Sequence, residues 1–106
     1  MITIVALGCA KGQLTIAGAE AIDKAEKVFV KTALTDTYEY FEDKGIECTA
    51  LDFIYEKSQN FDELDEEIAS FLLSQKGDIV YCVNGSGYED RSVALLVQKC
   101  DAEILP

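Results

Sequence analysis

The stretch DIVYCV at Asp78–Val83 is apolar after its first residue, and the turn sequence NGSG follows it at Asn84–Gly87. A short apolar run that is bounded by turn residues is typical of a strand buried on both faces. The run ITIVAL at Ile2–Leu7 is rich in β-branched residues and ends in the same way, at Gly8. The sequence therefore predicts two fully buried strands, each followed directly by a glycine-bearing turn.

Apolar residues at helical spacing separate these strands from three shorter apolar runs. We predict a first helix from about Ile16 to Glu26 after a cap at Thr15, and a second from Asp36 to a stop at Gly45. A third runs from a cap at Asn60 to a stop at Gly77. A fourth spans Val93–Cys100 and has on one face Val93, Leu96, Val97 and Cys100. Asn60 followed three residues later by Glu63 has the form of a capping box. The remaining strands are predicted at Val28–Val30, Cys48–Leu51 and Glu103–Leu105.

The order of these elements is strand then helix, repeated four times, followed by a last strand. Such alternation predicts an α/β fold in which a parallel sheet carries helices on both faces. The length of 106 residues suits a single domain, and the hydrophobic content of 49% is enough for a core. Because the chain stops at Pro106, directly after a strand, we expect it to be a piece of a longer protein.

The charge of the chain limits the classes of partner. With 20 acidic and nine basic residues the net charge is −11, which argues against binding to nucleic acid or to an anionic membrane surface. No apolar run reaches the roughly 18 residues that a membrane span requires, and no signal peptide precedes the first strand. The four cysteines form no CxxC pair, so we expect reduced thiols in a cytoplasmic protein and no metal site.

The residue types also limit the chemistry. The chain contains no histidine, which excludes a Ser/His/Asp or Cys/His catalytic set. No pair of carboxylates is placed for acid–base work, and the acidic stretch Asp62–Glu67 is interpreted as the solvated first turn and face of a helix. No catalytic residue is therefore assigned. If the domain takes part in catalysis, we expect it to act mainly by positioning a reactive cofactor.

The two glycine-bearing turns are the candidates for a ligand site, because ligands of open parallel sheets bind beyond the carboxyl ends of the strands. The turn at Gly8–Gly12 lacks the spacing of a phosphate-binding loop. In the turn at Asn84–Gly87, two glycines let the backbone approach a ligand. Glu89 and Asp90 at the start of the next helix would repel an anion despite the nearby Arg91. We therefore expect a neutral or zwitterionic ligand, with a plain structural turn as the alternative at both places.

Polar residues follow two other predicted strands at the same edge of the sheet. Lys31 and Thr32 come after the second strand, and Asp52 comes after the third. Each is interpreted either as a ligand contact or as an ordinary strand-end residue.

Several segments resemble one known family. Ile4–Gly8, followed by Leu14, Thr15 and a helix, resembles the opening of the S-adenosylmethionine-dependent tetrapyrrole methylases. The resemblance is strongest to the branch that is often fused to a MazG-type nucleotide pyrophosphohydrolase, and it lies in Phe29–Thr32, Leu51–Glu56 and Gly77–Val83. Glu103–Pro106 resembles the last strand of the N-terminal half of that fold, so the resemblance covers the whole chain.

The resemblance implies an architecture. The family fold has two α/β halves that hold the cofactor between them, its members are commonly homodimers, and this chain resembles the first half only. The implied arrangement is a three-layer sandwich around a mainly parallel sheet with the strand order 3-2-4-1-5. Strands one and four would then be neighbours, which brings Gly8 close to Asn84, Gly85, Ser86 and Gly87 as cofactor-binding residues.

The resemblance also implies a function, which is S-adenosylmethionine-dependent methyl transfer by the intact protein. The present fragment, with half of the cleft, is expected to be inactive by itself. Both turns depart from the family pattern: Cys9–Lys11 stand where the family has proline, glycine and aspartate, and of the second turn only Gly85 matches. The alternatives are a degenerate, non-catalytic domain that mediates dimerisation or supports a fused nucleotide pyrophosphohydrolase, and a free-standing flavodoxin-like binding module.

Overall fold

The computed structural model describes residues 1–8, 12–85 and 90–105 of the chain. Its strands are β1 (Ile2–Ala6), β2 (Lys27–Val30), β3 (Thr49–Ala50), β4 (Ile79–Val83) and β5 (Ala102–Leu105). Its helices are α1 (Ile16–Lys24), α2 (Glu39–Lys44), α3 (Asp52–Lys57), α4 (Phe61–Leu73) and α5 (Arg91–Lys99), and a 3₁₀ turn at Asp36–Tyr38 leads into α2. The predicted alternation of strands and helices is confirmed.

The strands form one parallel sheet in the order β3-β2-β4-β1-β5. This is the order that the family resemblance implied. β1 and β4 lie side by side, with Ile2 opposite Ile79 and Ala6 opposite Val83. Both strands have a neighbour on each side, and helices cover both faces of this central part of the sheet, which explains why the two strands are mostly apolar.

Helices cover both faces of the sheet, so that the fold has three layers. On one face, α1 and α2 pack against the sheet through a cluster that includes Ile22, Phe41, Val5, Val30 and Cys82. On the other face, α3, α4 and α5 pack through a cluster that includes Ile54, Ile68, Leu96, Ile4 and Tyr81. The adjacent residues Tyr81 and Cys82 of β4 thus serve opposite cores, as the period of two along a strand requires.

The chain leaves β1 and β4 in opposite directions. After β1 it passes through α1 on one face and enters β2 on the far side of β4. After β4 it passes through α5 on the opposite face and enters β5 on the far side of β1. The carboxyl ends of β1 and β4 therefore border a topological switch point, where open α/β sheets bind their ligands.

Two side-chain caps predicted from the sequence are present. Thr15 Oγ1 accepts a hydrogen bond from the backbone N–H of Gly18 at 3.0 Å, and Asn60 Oδ1 accepts one from Glu63 at 2.8 Å. Each bond satisfies an N–H group that has no partner within its own helix. The predicted stop after α2 is also confirmed, because Gly45 follows the helix with φ of 65°, where other residues are strained.

The ends of three helices differ from the predicted ends. α1 ends at Lys24 rather than Glu26, because the N–H of Glu26 already bonds to the carbonyl of Asp78 and leads into the sheet. α4 ends at Leu73, ahead of Gly77. The helix predicted from Asp36 begins as a 3₁₀ turn and becomes α-helical at Glu39.

The segment around β3 was predicted incorrectly. The strand expected at Cys48–Leu51 contains only the two residues of β3, and Asp52 begins α3 rather than ending a strand. With six residues, α3 is too short to show the recurring apolar spacing by which a helix is recognised. Its attachment is nonetheless firm, because Leu51 and Ile54, three positions apart, are both buried.

The apolar face of α5 is narrower than predicted. Val93 and Leu96 are buried, whereas Val97 is 40% exposed. Cys100 follows the helix as its C-cap and packs at the margin of the core. The helix therefore contacts the sheet through fewer positions than its sequence suggested.

Candidate functional site

Gly8 and Gly85 pair across the carboxyl ends of β1 and β4. The N–H of Gly85 donates to the carbonyl of Gly8 at 2.8 Å, and the two residues form an isolated antiparallel bridge. Their φ angles are 81° and 70°, a region that glycine adopts without strain. A Cβ atom at Gly8 would lie 2.5 Å from Cβ of Gln13. Glycine at position 8 is thus required both by the backbone conformation and by the space available.

Two threonine hydroxyls hold the side chain of Asn84. Oδ1 of Asn84 accepts hydrogen bonds from Thr37 and, at 3.3 Å, from Thr35. The two hydroxyls also contact each other at 2.9 Å, and Thr37 is buried. Within residues 1–8, 12–85 and 90–105, the amide nitrogen of Asn84 has no hydrogen-bond partner. The threonines therefore hold the Asn84 side chain by its amide oxygen.

Lys31, which follows β2, places its ammonium group between two carboxylates. Nζ lies 2.9 Å from Oδ2 of Asp90 and 3.6 Å from Oδ1 of Asp65 on α4. The side chains of Lys31 and Asp90 are only 19% and 11% exposed. This ion-pair cluster joins the end of β2, the helix α4 and the start of α5 at the same edge of the sheet.

Asp90 also caps α5 and connects it to the core. Its Oδ1 accepts from the backbone N–H groups of Ser92 and Val93, at 2.9 and 3.3 Å, and from the Ser92 hydroxyl. Oγ of Ser92 lies 2.9 Å from the hydroxyl of Tyr81, deep in the core. Because Ser92 donates to the carboxylate, Tyr81 must donate to Ser92. The first N–H groups of α5 are consequently occupied, and the helix start is not an open anion site.

Burial and opposite charge act against each other in this cluster. Burial alone would lower the pKa of Lys31, but the hydrogen bond and charge of Asp90 outweigh it and raise that pKa overall. Burial alone would raise the pKa of Asp90, but the hydrogen bonds from Ser92 and Lys31 and the charge of Lys31 lower it overall. Both groups are therefore charged across the neutral range, and the charge of Asp90 is offset locally.

Asp52 has a structural role at this edge. Its two carboxylate oxygens accept from the hydroxyl of Thr32 at 2.6 Å and from the backbone N–H of Ala33 at 2.9 Å. Thr32 Oγ1 in turn accepts from the N–H of Leu34 at 3.1 Å. These bonds shape the loop that follows β2, which is the loop that carries Thr35 and Thr37. The structure thus gives Asp52 and Thr32 hydrogen bonds that hold this loop together.

A cavity of about 350 Å³ opens beside the Gly8–Gly85 pair, on the face of the sheet that α1 and α2 cover. Its described lining is mostly apolar and comprises Leu7, Gly12, Leu14, Thr15, Ile16, Ala19, Thr37, Tyr40, Asp43 and Lys44. Leu7 directly precedes Gly8, and Thr37 is the residue that holds Asn84. The cavity therefore borders the glycine-bearing edge.

The structure brings together three of the predicted site residues, Gly8, Asn84 and Gly85. Ser86 and Gly87 lie outside the described residues, as do Cys9–Lys11 and Glu89. Arg91 lies in an exposed ion pair, 2.8 Å from Asp62.

Five residues at this edge were not predicted from the sequence: Thr35, Thr37, Asp65, Tyr81 and Ser92. Four of them make their contacts only through the fold, and the fifth, Ser92, lies two positions from Asp90. A threonine-rich loop after β2 was the only signal in the sequence that pointed toward any of them.

A Bacillus subtilis protein shares this region of sequence. The uncharacterized protein YabN of Bacillus subtilis (strain 168) is 33% identical to this chain over 106 residues, and the alignment covers 96% of the chain. The chain spans 22% of the length of YabN. No protein-family model matches the chain. What we say below of the activity, substrates and partners of the whole protein is therefore proposed.

In the part of the chain that the structure describes, no helix is long and apolar enough to cross a membrane. Nor does any group of three or more His, Cys, Asp or Glu side chains there come together as a metal site.

Proposed function

We propose that this domain binds S-adenosylmethionine and serves as the N-terminal half of a methyltransferase in the intact protein. The observation that carries the proposal is the Gly8–Gly85 pair at the switch point between β1 and β4. This is the edge at which open α/β sheets bind ligands, and the chain resembles the tetrapyrrole methylases over its whole length. When bound, the cofactor would supply a methyl group from its sulfonium centre.

The chemistry of the edge suits a zwitterionic and partly cationic ligand. The NH₂ group of Asn84 is a neutral donor that matches a carboxylate or carbonyl oxygen. The start of α5 is occupied by Asp90, so the edge offers no strong anion site there. The net charge of −11 favours a sulfonium cation over a phosphate. These features support S-adenosylmethionine over a nucleotide.

The residues at the edge support binding and positioning rather than acid–base chemistry. Lys31 and Asp90 neutralise each other, and Asp52 is used to shape a loop. We assign no catalytic residue. The proposed contribution of this half is to hold the cofactor and exclude water, with the second half closing the cleft. The isolated fragment is accordingly expected to transfer no methyl group.

The wider context of the proposal follows from the family resemblance. We propose a cytoplasmic homodimer in which this domain belongs to a longer chain, with a nucleotide pyrophosphohydrolase domain fused or associated. The chain spans 22% of YabN, which leaves room for such additional domains in a protein of that kind. No nucleic acid or membrane partner is proposed, because the net charge is strongly negative.

A second candidate function is a degenerate support or dimerisation domain. One observation favours it: the N–H of Gly85 is spent on the carbonyl of Gly8, so that this turn has one donor fewer for a ligand. Replacing the two turns by the family's sequences should then create cofactor binding that the natural protein lacks.

Calorimetric titration of S-adenosylmethionine into the complete protein separates the two candidates. We expect a saturable heat of binding for the natural protein. Asn84→Ala should bind the cofactor with an affinity that is at least tenfold lower. Gln98→Ala, on the exposed side of α5, is the matched control and should bind like the natural protein. If no heat is measured at millimolar ligand, the cofactor proposal is wrong and the support domain is the better account.

A further inference from the structure

The cavity between α1 and α2 borders the proposed cofactor edge. Leu7 links the cavity to Gly8, and Thr37 links it to Asn84. Among the described residues, Gly12 at the end of the first turn lines the cavity, whereas Gly8 and Gly85 do not. A molecule in this cavity would therefore lie next to a ligand bound at the Gly8–Gly85 pair.

The volume of the cavity limits the size of its occupant. At about 350 Å³ it is at the lower end of the range for small-molecule sites, which runs from roughly 300 to 1,000 Å³. A compact molecule with one or two fused rings fits this volume. A tetrapyrrole, with four rings and several carboxylate arms, is too large to enter it.

The lining of the cavity indicates an apolar occupant. Leu7, Leu14 and Ala19 contribute aliphatic walls, and Tyr40 contributes an aromatic ring. Ile16 at the rim is 80% exposed, although isoleucine is among the residues most often buried. A bound apolar ring would cover this side chain and remove it from water.

Charge separates the possible apolar occupants. The chain has a net charge of −11. At physiological salt, charges act on each other over roughly 8 Å, so an anion that comes this close to the protein is repelled. Tyr40 lines the cavity, and the face of an aromatic ring attracts cations. A neutral or cationic molecule is therefore favoured over an anionic one of the same shape.

We propose that the cavity between α1 and α2 is a binding site for a compact, neutral or cationic aromatic or alicyclic molecule. Its binding is independent of the proposed function. Its further role as the second substrate, held beside the cofactor, rests on that proposed function. The molecule belongs to a different chemical class from the polycarboxylate substrates that the family resemblance would suggest.

Three probes with the same ring and different charges test the proposal: indole, tryptamine and indole-3-acetate. Their affinities for the complete protein are measured by calorimetry at 150 mM salt. We expect indole and tryptamine to bind in the micromolar to low millimolar range, and indole-3-acetate to bind at least tenfold more weakly than tryptamine. Equal affinity of the anionic and cationic probes would overturn the assignment of charge class.

Variants locate the binding. Ala19→Leu fills the cavity and should weaken indole binding at least tenfold, whereas Ala94→Leu, the same change on the exposed side of α5, should leave it unchanged. If Ala19→Leu unfolds, Ile16→Glu serves instead, because an acidic residue in the first turn of a helix favours folding. That variant should also weaken indole binding. Unchanged binding in a folded variant would show that the probe lies elsewhere.

The two proposals fail separately. A protein that binds S-adenosylmethionine but no indole contradicts the cavity proposal alone. A protein that binds indole with the expected response to Ala19→Leu, but no S-adenosylmethionine, contradicts the proposed function alone.

Discussion

Asp90→Asn tests whether the Lys31–Asp90 pair stabilises the edge of the sheet. Asparagine has nearly the same shape as aspartate and caps helices equally well, so the substitution removes the charge and keeps the cap of α5. The pair has a separation of 2.9 Å with exposures of 19% and 11%. Exposed pairs contribute about 0.2–1 kcal/mol, and removing one partner of a fully buried pair costs about 3–5 kcal/mol.

The geometry places the expected cost between these limits. Lys31 keeps the carboxylate of Asp65 at 3.6 Å, which compensates part of the lost charge. We expect Asp90→Asn to lower the free energy of unfolding by about 2 kcal/mol. Asp90→Ala, which also removes the cap, should cost about 1 kcal/mol more. The measurement is urea denaturation followed by circular dichroism at pH 7.

The pH dependence of this effect has a definite sign. The folded pKa of Asp90 is lowered, so its contribution is present above the unfolded pKa of about 3.9 and is lost as the pH falls through the lower folded value. The folded pKa of Lys31 is raised, so its contribution is present below the unfolded pKa of about 10.4 and is lost as the pH rises through the higher folded value. The difference in the free energy of unfolding between the natural protein and Asp90→Asn should therefore be constant near neutral pH and disappear in acid.

The control for this experiment is Asp62→Asn. Asp62 pairs with Arg91 at 2.8 Å, but the two side chains are 73% and 55% exposed. We expect a change of less than about 0.5 kcal/mol. The reasoning is refuted if Asp90→Asn lowers the free energy of unfolding no more than Asp62→Asn does. It is also refuted if the difference between the natural protein and Asp90→Asn does not become smaller in acid.

The remaining predictions concern the glycine pair and the core hydroxyl. Gly8→Ala should cost about 2–3 kcal/mol, because a positive φ strains alanine by about 1–2 kcal/mol and the added Cβ would meet Gln13 at 2.5 Å. Gly85→Ala, whose new Cβ would meet no atom of the described residues within 4 Å, should cost about 1 kcal/mol, and equal costs in urea denaturation would contradict this. Tyr81→Phe removes the bond to Ser92 at 2.9 Å and should cost about 1 kcal/mol; an unchanged thermal midpoint would show that the bond contributes nothing.

The sequence predicted the two central strands because burial on both faces leaves a continuous apolar run. β1 and β4 are such runs, and a glycine-bearing turn follows each of them. The shorter β3 lacks this signal, since only two of its residues pair with β2. α3 was missed for a related reason: a helix of six residues is too short to display a period.

The order of the strands was available only through the family resemblance. Alternation of strands and helices predicts a parallel sheet, but β1 could lie beside β2 or, as observed, beside β4. The two arrangements have the same local sequence pattern. The proximity of Gly8 and Gly85, which are neighbours only in the second arrangement, could not be derived from the residues alone.

The side chains around the glycine pair were predicted in part. Asp90 was identified as an acidic residue at a helix start, and the structure confirms it as the cap of α5. Its pairing with Lys31, 59 positions away, has no local signature in the sequence. The same is true of the bond between Thr37 and Asn84, which are 47 positions apart.

Hydrogen exchange of the complete protein, with and without S-adenosylmethionine, tests the central claim that the Gly8–Gly85 edge is the ligand edge. We predict that the cofactor slows exchange in peptides covering residues 7–13 and 83–90, and that Asn84→Ala removes this protection. Protection confined to other peptides, or binding without any protection of these two turns, would contradict the account.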